Sequence, residues 1–562
     1  MHRFSTGLFI ALVFMAGVPI FAQDADPLYN LPNATSDPVF TDSSMAQLAR
    51  NRLLITNRLQ NTISRVDATT GTIEAEIEVG ADPRSVTVTP SAALAAVLNT
   101  DDGTMSVIDL SENGVIGTYP VGEAPFAIIT NNDDTAYISR HATHDILEID
   151  LQTGVMLRQI KTPDYPSGMA LWGDFLYVTH FWSGAFSMIY LPSGEVIRTI
   201  ETGVQHGLSA AIELNPRAAR AYLPQTIRNT SSNTPYDARQ IAVLHTIDLN
   251  AMQPIPEERV LLPIAAQPVN FPVAAALNNT RDTLYISNLG SNNVIALDLD
   301  TRLATAIIEV GAAPQTIQFS QNNQLVRIHN TLDNSITEYG TAFLDIQDFF
   351  LTSSIPMDVP RMIGAQLFHD ASDARLSQNN ALSCATCHYN GQSDGLVRTG
   401  LNTPDLYDLA SNAPYGWNGT WDSLDALSEH IRTMQAGDGL ELNSLELDAL
   451  KAYLTEFTAP RNPDFPDERL VQRGETVFME NGCAACHSGD IGTDGQIHDV
   501  STGGTFVTPS LQHLWLTAPY LHDGSAQTLR DLFITGQGSH RLAINVPNSD
   551  VDALIAYLLQ WD

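Results

Sequence analysis

Cysteine is scarce in this chain: four residues in 562, at Cys384, Cys387, Cys483 and Cys486. They form two close pairs, and none is left over for a structural disulfide. Positive charge is scarce too. Against 63 Asp and Glu there are 28 Lys and Arg, a formal charge of −35, and lysine occurs only at Lys161 and Lys451. Such a chain repels nucleic-acid phosphates and anionic lipid heads, which excludes both as partners. Beyond the first residues no apolar run is long enough for a membrane helix. Disorder is excluded by the remaining composition, 44% hydrophobic and 16% charged. The length calls for two to four domains.

Residues 1–22 combine a basic start, a short apolar core from Leu8 to Ala16 and a small residue, Ala22, before Gln23. This is the pattern of a secretory signal peptide, and it predicts a soluble periplasmic or otherwise extracytoplasmic protein once removed.

The first half repeats. An apolar residue, Asp and a following Gly recur at Val66-Asp67 to Gly71 and Ile149-Asp150 to Gly154; Ile189-Tyr190 to Gly194 keeps the frame with Tyr in place of Asp, and shorter forms stand at Ile108-Asp109, Ile247-Asp248 and Leu297-Asp298. Most intervals are 40–42 residues, and two are longer, 58 and 50. A second element follows some of them, as Val79-Gly80-Ala81-Asp82-Pro83, Val121-Gly122-Glu123-Ala124-Pro125 and Val310-Gly311-Ala312-Ala313-Pro314. Between these markers apolar and polar residues alternate, the period of short antiparallel strands. Four strands per unit predict an all-β propeller of about seven blades over 40–354. The insertion from Gln225 to Arg239 reads as a surface loop. Tyr177-Val178-Thr179-His180 and Tyr285-Ile286-Ser287-Asn288 resemble YVTN-type propeller repeats, which speaks for fold and not for function. His141, His144, His180, His206, His245 and His329 form no ligand cluster and read as ordinary surface or strand histidines.

The second half is a tandem duplication of two all-α domains, 361–458 and 468–562. Cys384-Ala385-Thr386-Cys387-His388 pairs with Cys483-Ala484-Ala485-Cys486-His487. Thr403-Pro404 pairs with Thr508-Pro509, Ala413-Pro414-Tyr415 with Ala518-Pro519-Tyr520, and Asp448 to Leu454 with Asp552 to Leu558. Two thiols separated by two residues add to the two vinyl groups of one haem, and the next histidine lies beneath the iron. Two copies that use every cysteine predict two covalently bound c-type haems: haem 1 on Cys384, Cys387 and His388, and haem 2 on Cys483, Cys486 and His487.

Residues 364–562 resemble the bacterial di-haem cytochrome c peroxidase/MauG family. The likeness is carried by Gly364-Ala365-Gln366-Leu367-Phe368-His369-Asp370, Arg375-Leu376-Ser377, the first CxxCH and Thr517-Ala518-Pro519-Tyr520-Leu521-His522-Asp523-Gly524. It implies an enzyme that uses hydrogen peroxide at the N-terminal haem and passes electrons through the C-terminal one. It also implies an inter-haem tryptophan, matched by Trp417, and a calcium ion held by Asn402, Thr517 and Pro519. Trp417 reads equally as a packed core aromatic, and Asn402 as a turn cap. The chain departs from the family in its distal groups. His540 stands where the haem 2 ligand is often methionine, with Met479 as a rival. The duplication sets Met434 opposite His540 as a distal ligand of haem 1. No histidine lies between His388 and Asn402. The family's distal acid–base pair has no clean counterpart; Glu429, His430, Gln435 and Glu441 are the polar groups at hand, and His430 and Gln435 are taken as catalytic with Trp417.

The expected function is a peroxidase-like oxidoreductase exchanging electrons with a small cytochrome or copper protein, the propeller docking a partner or substrate. The alternative is a non-enzymatic electron carrier, if Met434 closes haem 1. A substrate-binding propeller with the haems as electron sink ranks last.

Overall fold

The structure, a computed structural model, describes residues 38–561 apart from 41–43, 232–233, 235–237, 436–440, 465, 537 and 543–545. The signal-peptide segment 1–22 lies outside the described residues.

Seven antiparallel sheets form the propeller, spanning 45–78, 83–120, 125–161, 166–200, 206–261, 272–309 and 314–351. The repeated sequence elements have local causes. Asp67, Asp150 and Asp298 each turn a carboxylate back onto the backbone N–H of Thr69, Thr153 and Thr301, closing the hairpin between the two outer strands of a blade. The prolines of the second element, Pro83, Pro125 and Pro314, each start an innermost strand, the one strand position where the missing N–H breaks no ladder.

Among the described residues no strand is exchanged between the first and last blades. Side chains join them instead: the Ser44 hydroxyl meets the Thr316 hydroxyl at 2.9 Å and His329 Nδ1 at 2.7 Å, and Met45 packs with Ile336 and Phe350. The short N-terminal strand Val39–Phe40 adds to the inner edge of the fourth blade. Five of the six propeller histidines are buried, so they belong to the blades and not to the surface. His180, for example, is held between the Asp164 carbonyl and the Ser187 hydroxyl.

The fifth blade differs most. Its inner strand is split into His206–Gly207 and Glu213–Asn215, and a short helix α1 (Leu262–Ala265) follows its outer strands. Its central strands, Arg220–Arg228 and Gln240–Asp248, run nine residues each. The expected surface loop is therefore shorter than Gln225 to Arg239. Gln225 to Arg228 continue the strand; Gln225 is buried against Gly184 and Ser209, and Arg228 is buried at the end of the hairpin, where its opposite number Gln240 reaches Thr386 and Cys387 of the helical half.

That half opens with α2 (Val359–His369) and continues with α3 (Leu427–Met434) and α4 (Ser444–Leu454). The second copy supplies α5 (Glu468–Glu480), α6 (Leu529–Ile534) and α7 (Asn548–Leu558). In each copy the first helix crosses the last at a glycine. A Cβ on Gly364 would sit 2.3 Å from the Ala449 carbonyl oxygen, and one on Gly474 2.0 Å from that of Ala553. Only glycine permits so close a crossing. No helix among the described residues is long and apolar enough to cross a membrane.

Candidate haem centres

Each CxxCH motif closes one helical turn. The His388 and His487 amides donate to the carbonyls of Cys384 and Cys483, at 2.9 Å in both copies. The four cysteines form no disulfides. This closure lets two thiols and the following imidazole address a single porphyrin. The duplicated Thr-Pro elements lie beside the two histidines, the Pro404 carbonyl near the His388 ring and the Pro509 carbonyl near that of His487; His388 Nδ1 itself is buried with no hydrogen-bond partner among the described residues. The Gly492 carbonyl also accepts from His487 Nδ1 at 2.9 Å. A carbonyl on Nδ1 leaves Nε2 free to bind a metal. Burial pushes His388 down to about 4, so it is neutral, as a ligand must be.

In the second copy His540 faces His487, with ring centres 6.2 Å apart and planes 56° apart. Two metal–imidazole bonds of about 2 Å, with about 1 Å more from each nitrogen to its ring centre, span about 6 Å. The pair therefore fits one iron between the rings. Burial pushes His540 down to about 4, which keeps it a neutral donor. Met479, the rival, stands in solvent at 57% exposure.

The first copy is arranged differently. His430, on α3, packs edge-on against Trp421, ring centres 4.7 Å apart. Its Nδ1 is buried with no partner among the described residues. It lies near enough to His388 to depress that imidazole, but no ring contact of the His487–His540 kind joins the two. Burial lowers His430 from the usual histidine value. Gln435 is buried and its amide donates to the Cys384 sulfur at 3.2 Å. Met434 ends α3, and its side chain lies outside the described residues. Glu429 is exposed and paired with Arg432, and Glu441 is exposed. These two belong to a solvated surface.

Trp417 marks the seam between the copies. Its indole N–H donates to the Asn402 carbonyl at 2.7 Å, and its ring stands edge-on to His522 at 6.4 Å. Asn402 crosses the same seam, its Nδ2 donating to the Pro519 carbonyl at 2.6 Å. Asn402 Oδ1 is buried with no partner among the described residues. Thr517 lies two residues before Pro519.

One relationship had no local sequence signal. The first CxxCH is pressed against the propeller. Trp182 donates to Gln392 Oε1 at 3.0 Å, Arg84 to Asn390 Oδ1 at 2.7 Å and Asn270 to the Ala381 carbonyl at 3.0 Å. Phe181 and Phe271 join Phe368 and Tyr389 in one core. Ala385 and Thr386 are fully buried, whereas Gly482, Ala485 and Ser488 around the second CxxCH are exposed.

Comparison with known proteins agrees with this geometry. Residues 361–459 match the di-haem cytochrome c peroxidase family and 471–562 match cytochrome c. Methylamine utilization protein MauG of Methylorubrum extorquens is 28% identical over 243 residues, covering 31% of this chain and 68% of the relative. Cytochrome c551 peroxidase of Pseudomonas aeruginosa is 23% identical over 271 residues, 35% of this chain and 77% of the relative. Among solved structures, hydrazine synthase of Kuenenia stuttgartiensis aligns with 58% of this chain and 100% of its own, at TM-score 0.48 and 20% identity. The helical half of this chain thus matches, copy by copy, the di-haem cytochrome c peroxidase and cytochrome c families and is similar to MauG and the bacterial cytochrome c peroxidases, behind a seven-blade β-propeller.

Proposed function

We propose that this protein is an exported di-haem peroxidase that reduces hydrogen peroxide at haem 1 with electrons received through haem 2. The observation that carries the reading is the asymmetry of the two centres. His487 has a second imidazole at the spacing of a closed coordination sphere. His430 is near enough to His388 to act on it electrostatically, without the ring contact that joins His487 and His540. Haem supplies iron that exchanges single electrons and, where a coordination position is open, takes up an oxygen ligand.

The chain's residues do the rest. Hydrogen peroxide needs two electrons and two protons to become two waters. His430, neutral because it is buried, takes a proton from the near oxygen and returns it to the departing one. The propeller covers the first CxxCH, so a small molecule reaches that centre and a protein does not. The exposed second CxxCH meets the electron donor, a small cytochrome or copper protein. Trp417, whose carbonyl accepts from the Val507 N–H of the second copy and whose ring stands edge-on to His522, relays between the centres. Calcium is held at the same seam by Asn402, Thr517 and Pro519. Turning the Asn402 amide over sets its unpartnered Oδ1 beside the Pro519 carbonyl, and oxygens of this kind suit that ion.

The test is peroxide-dependent oxidation of a reduced small c-type cytochrome or copper protein. Wild type turns the donor over. A Cys384→Ser, Cys387→Ser variant that retains haem 2 accepts electrons but leaves peroxide unreduced. A wild type that exchanges electrons with donors and never consumes peroxide is an electron carrier.

A further inference from the structure

Arg228 and Gln240 stand directly opposite each other at the far end of the long hairpin of the fifth blade. Opposed residues of an antiparallel pair project from the same face, and here both touch the first haem domain's surroundings. Both are buried, at 3% and 6% exposure. Gln240 Nε2 lies 3.4 Å from the Cys387 sulfur and 3.4 Å from the Thr386 carbonyl. With Gln435 on Cys384, each sulfur of the first motif thus meets an amide N–H, one from the haem domain and one from the propeller.

Arg228 lies over the Trp182 ring at 5.4 Å, and its Nη2 donates to the Trp182 and His206 carbonyls. Its Nε and Nη1 have no acceptor among the described residues. The charged groups around it are Asp394 and Arg398, which pair with each other, Asp394 with no exposed side-chain surface. Two guanidinium groups and one carboxylate leave one positive charge uncompensated, inside the protein and within electrostatic reach of Cys387. A buried charge in this condition calls for an anion. A haem attached at Cys384 and Cys387 brings two propionate carboxylates with it.

We propose that Arg228 is a positioning residue for haem 1: its free Nε–H and Nη1–H groups donate to a propionate carboxylate of that haem, while Gln240 donates to the Cys387 thioether sulfur. The propeller then completes the haem 1 pocket instead of serving only as a docking module. This rests on haem attachment at the first motif and not on peroxide chemistry, so the haem count and the potential report on it independently of turnover.

Arg228→Met, Arg228→Lys and Gln240→Leu are made in the full holo-protein, and two haems per chain are confirmed first. Spectroelectrochemical titration and resonance Raman spectra are then recorded. A positive charge beside a propionate favours the reduced, less positive iron. Arg228→Met therefore shifts the haem 1 potential to a more negative value, displaces its propionate bending band and leaves haem 2 unchanged. Arg228→Lys restores most of the potential but still displaces the band, because an ammonium donates in a different geometry. Gln240→Leu shifts the haem 1 potential in the same direction by less. If Arg228→Met does not accumulate, the propionate band of Arg228→Lys decides. An unmoved potential and band in Arg228→Met, or an unmoved band in Arg228→Lys, overturns the proposal.

Discussion

His487 and His540 face each other with ring centres 6.2 Å apart, both neutralised by burial. The pair predicts a low-spin haem 2 that lacks the sulfur-to-iron charge-transfer band of a methionine-ligated haem. His540→Ala turns that haem high-spin in optical and paramagnetic resonance spectra and leaves haem 1 nearly unchanged. Met479→Leu changes neither, since Met479 points into solvent. A methionine band in the wild type would remove His540 from the site.

In the proposed mechanism His430 sets the pH dependence. Burial lowers its pKa below the ordinary histidine value, so at neutral pH it is an unprotonated base. The rate of peroxide reduction therefore holds constant near neutrality and falls as pH drops through the lowered pKa and His430 gains a proton. His430→Leu costs roughly 10²–10⁴-fold in that rate and removes the acid limb. Stopped-flow rates across pH check both. An acid limb that survives His430→Leu assigns the proton transfer elsewhere.

The calcium ion proposed at the seam predicts a coupling between the haem domains. Chelation lowers the thermal midpoint and slows electron transfer between the haems, and added calcium restores both. Asn402→Ala reproduces the loss and does not respond to added calcium. Equal behaviour of chelated and calcium-loaded wild type would leave Asn402 as a seam hydrogen-bond donor only.

Glu213, on the split inner strand of the fifth blade, is buried and its carboxyl is pushed up to about 8 by desolvation, against a hydrogen bond from the Leu277 N–H. A raised carboxyl binds a proton in the folded state that the unfolded chain releases. Folding stability is therefore full at low pH and is lost as pH rises from the unfolded value through about 8. Glu213→Gln keeps the acceptor oxygen and removes the charge. It stabilises the propeller by on the order of 2–4 kcal/mol at pH above the folded value, and the gain disappears in acid. Denaturant midpoints at two pH values measure it.

The blades were legible because each repeat mark does a local job: Asp67 closes a hairpin and Pro83 opens an inner strand, within a few residues of each. The haem sites were legible for the same reason, since Cys384 to His388 close their own turn. His540 could be placed only by the family resemblance, and the structure adds the ring distance. The propeller's part in haem 1 could not be read. Gln240 and Cys387 lie 147 residues apart, and Arg228 looked like one end of a polar insertion until its strand proved to extend into the interface. Spacing encodes contacts made within a turn. It is silent about contacts that two folded domains make afterwards.

The proposed division of labour leaves haem 1 open to peroxide and haem 2 closed by two imidazoles. It is tested most directly by mixing fully reduced protein with hydrogen peroxide and following both haems by stopped-flow absorption. The expected result is fast oxidation of haem 1, then loss of the electron from haem 2 in a second phase that Trp417→Phe slows while leaving the first untouched. Protein that reacts with neither peroxide nor cyanide at either haem, in any redox state, would contradict it and make this chain an electron carrier.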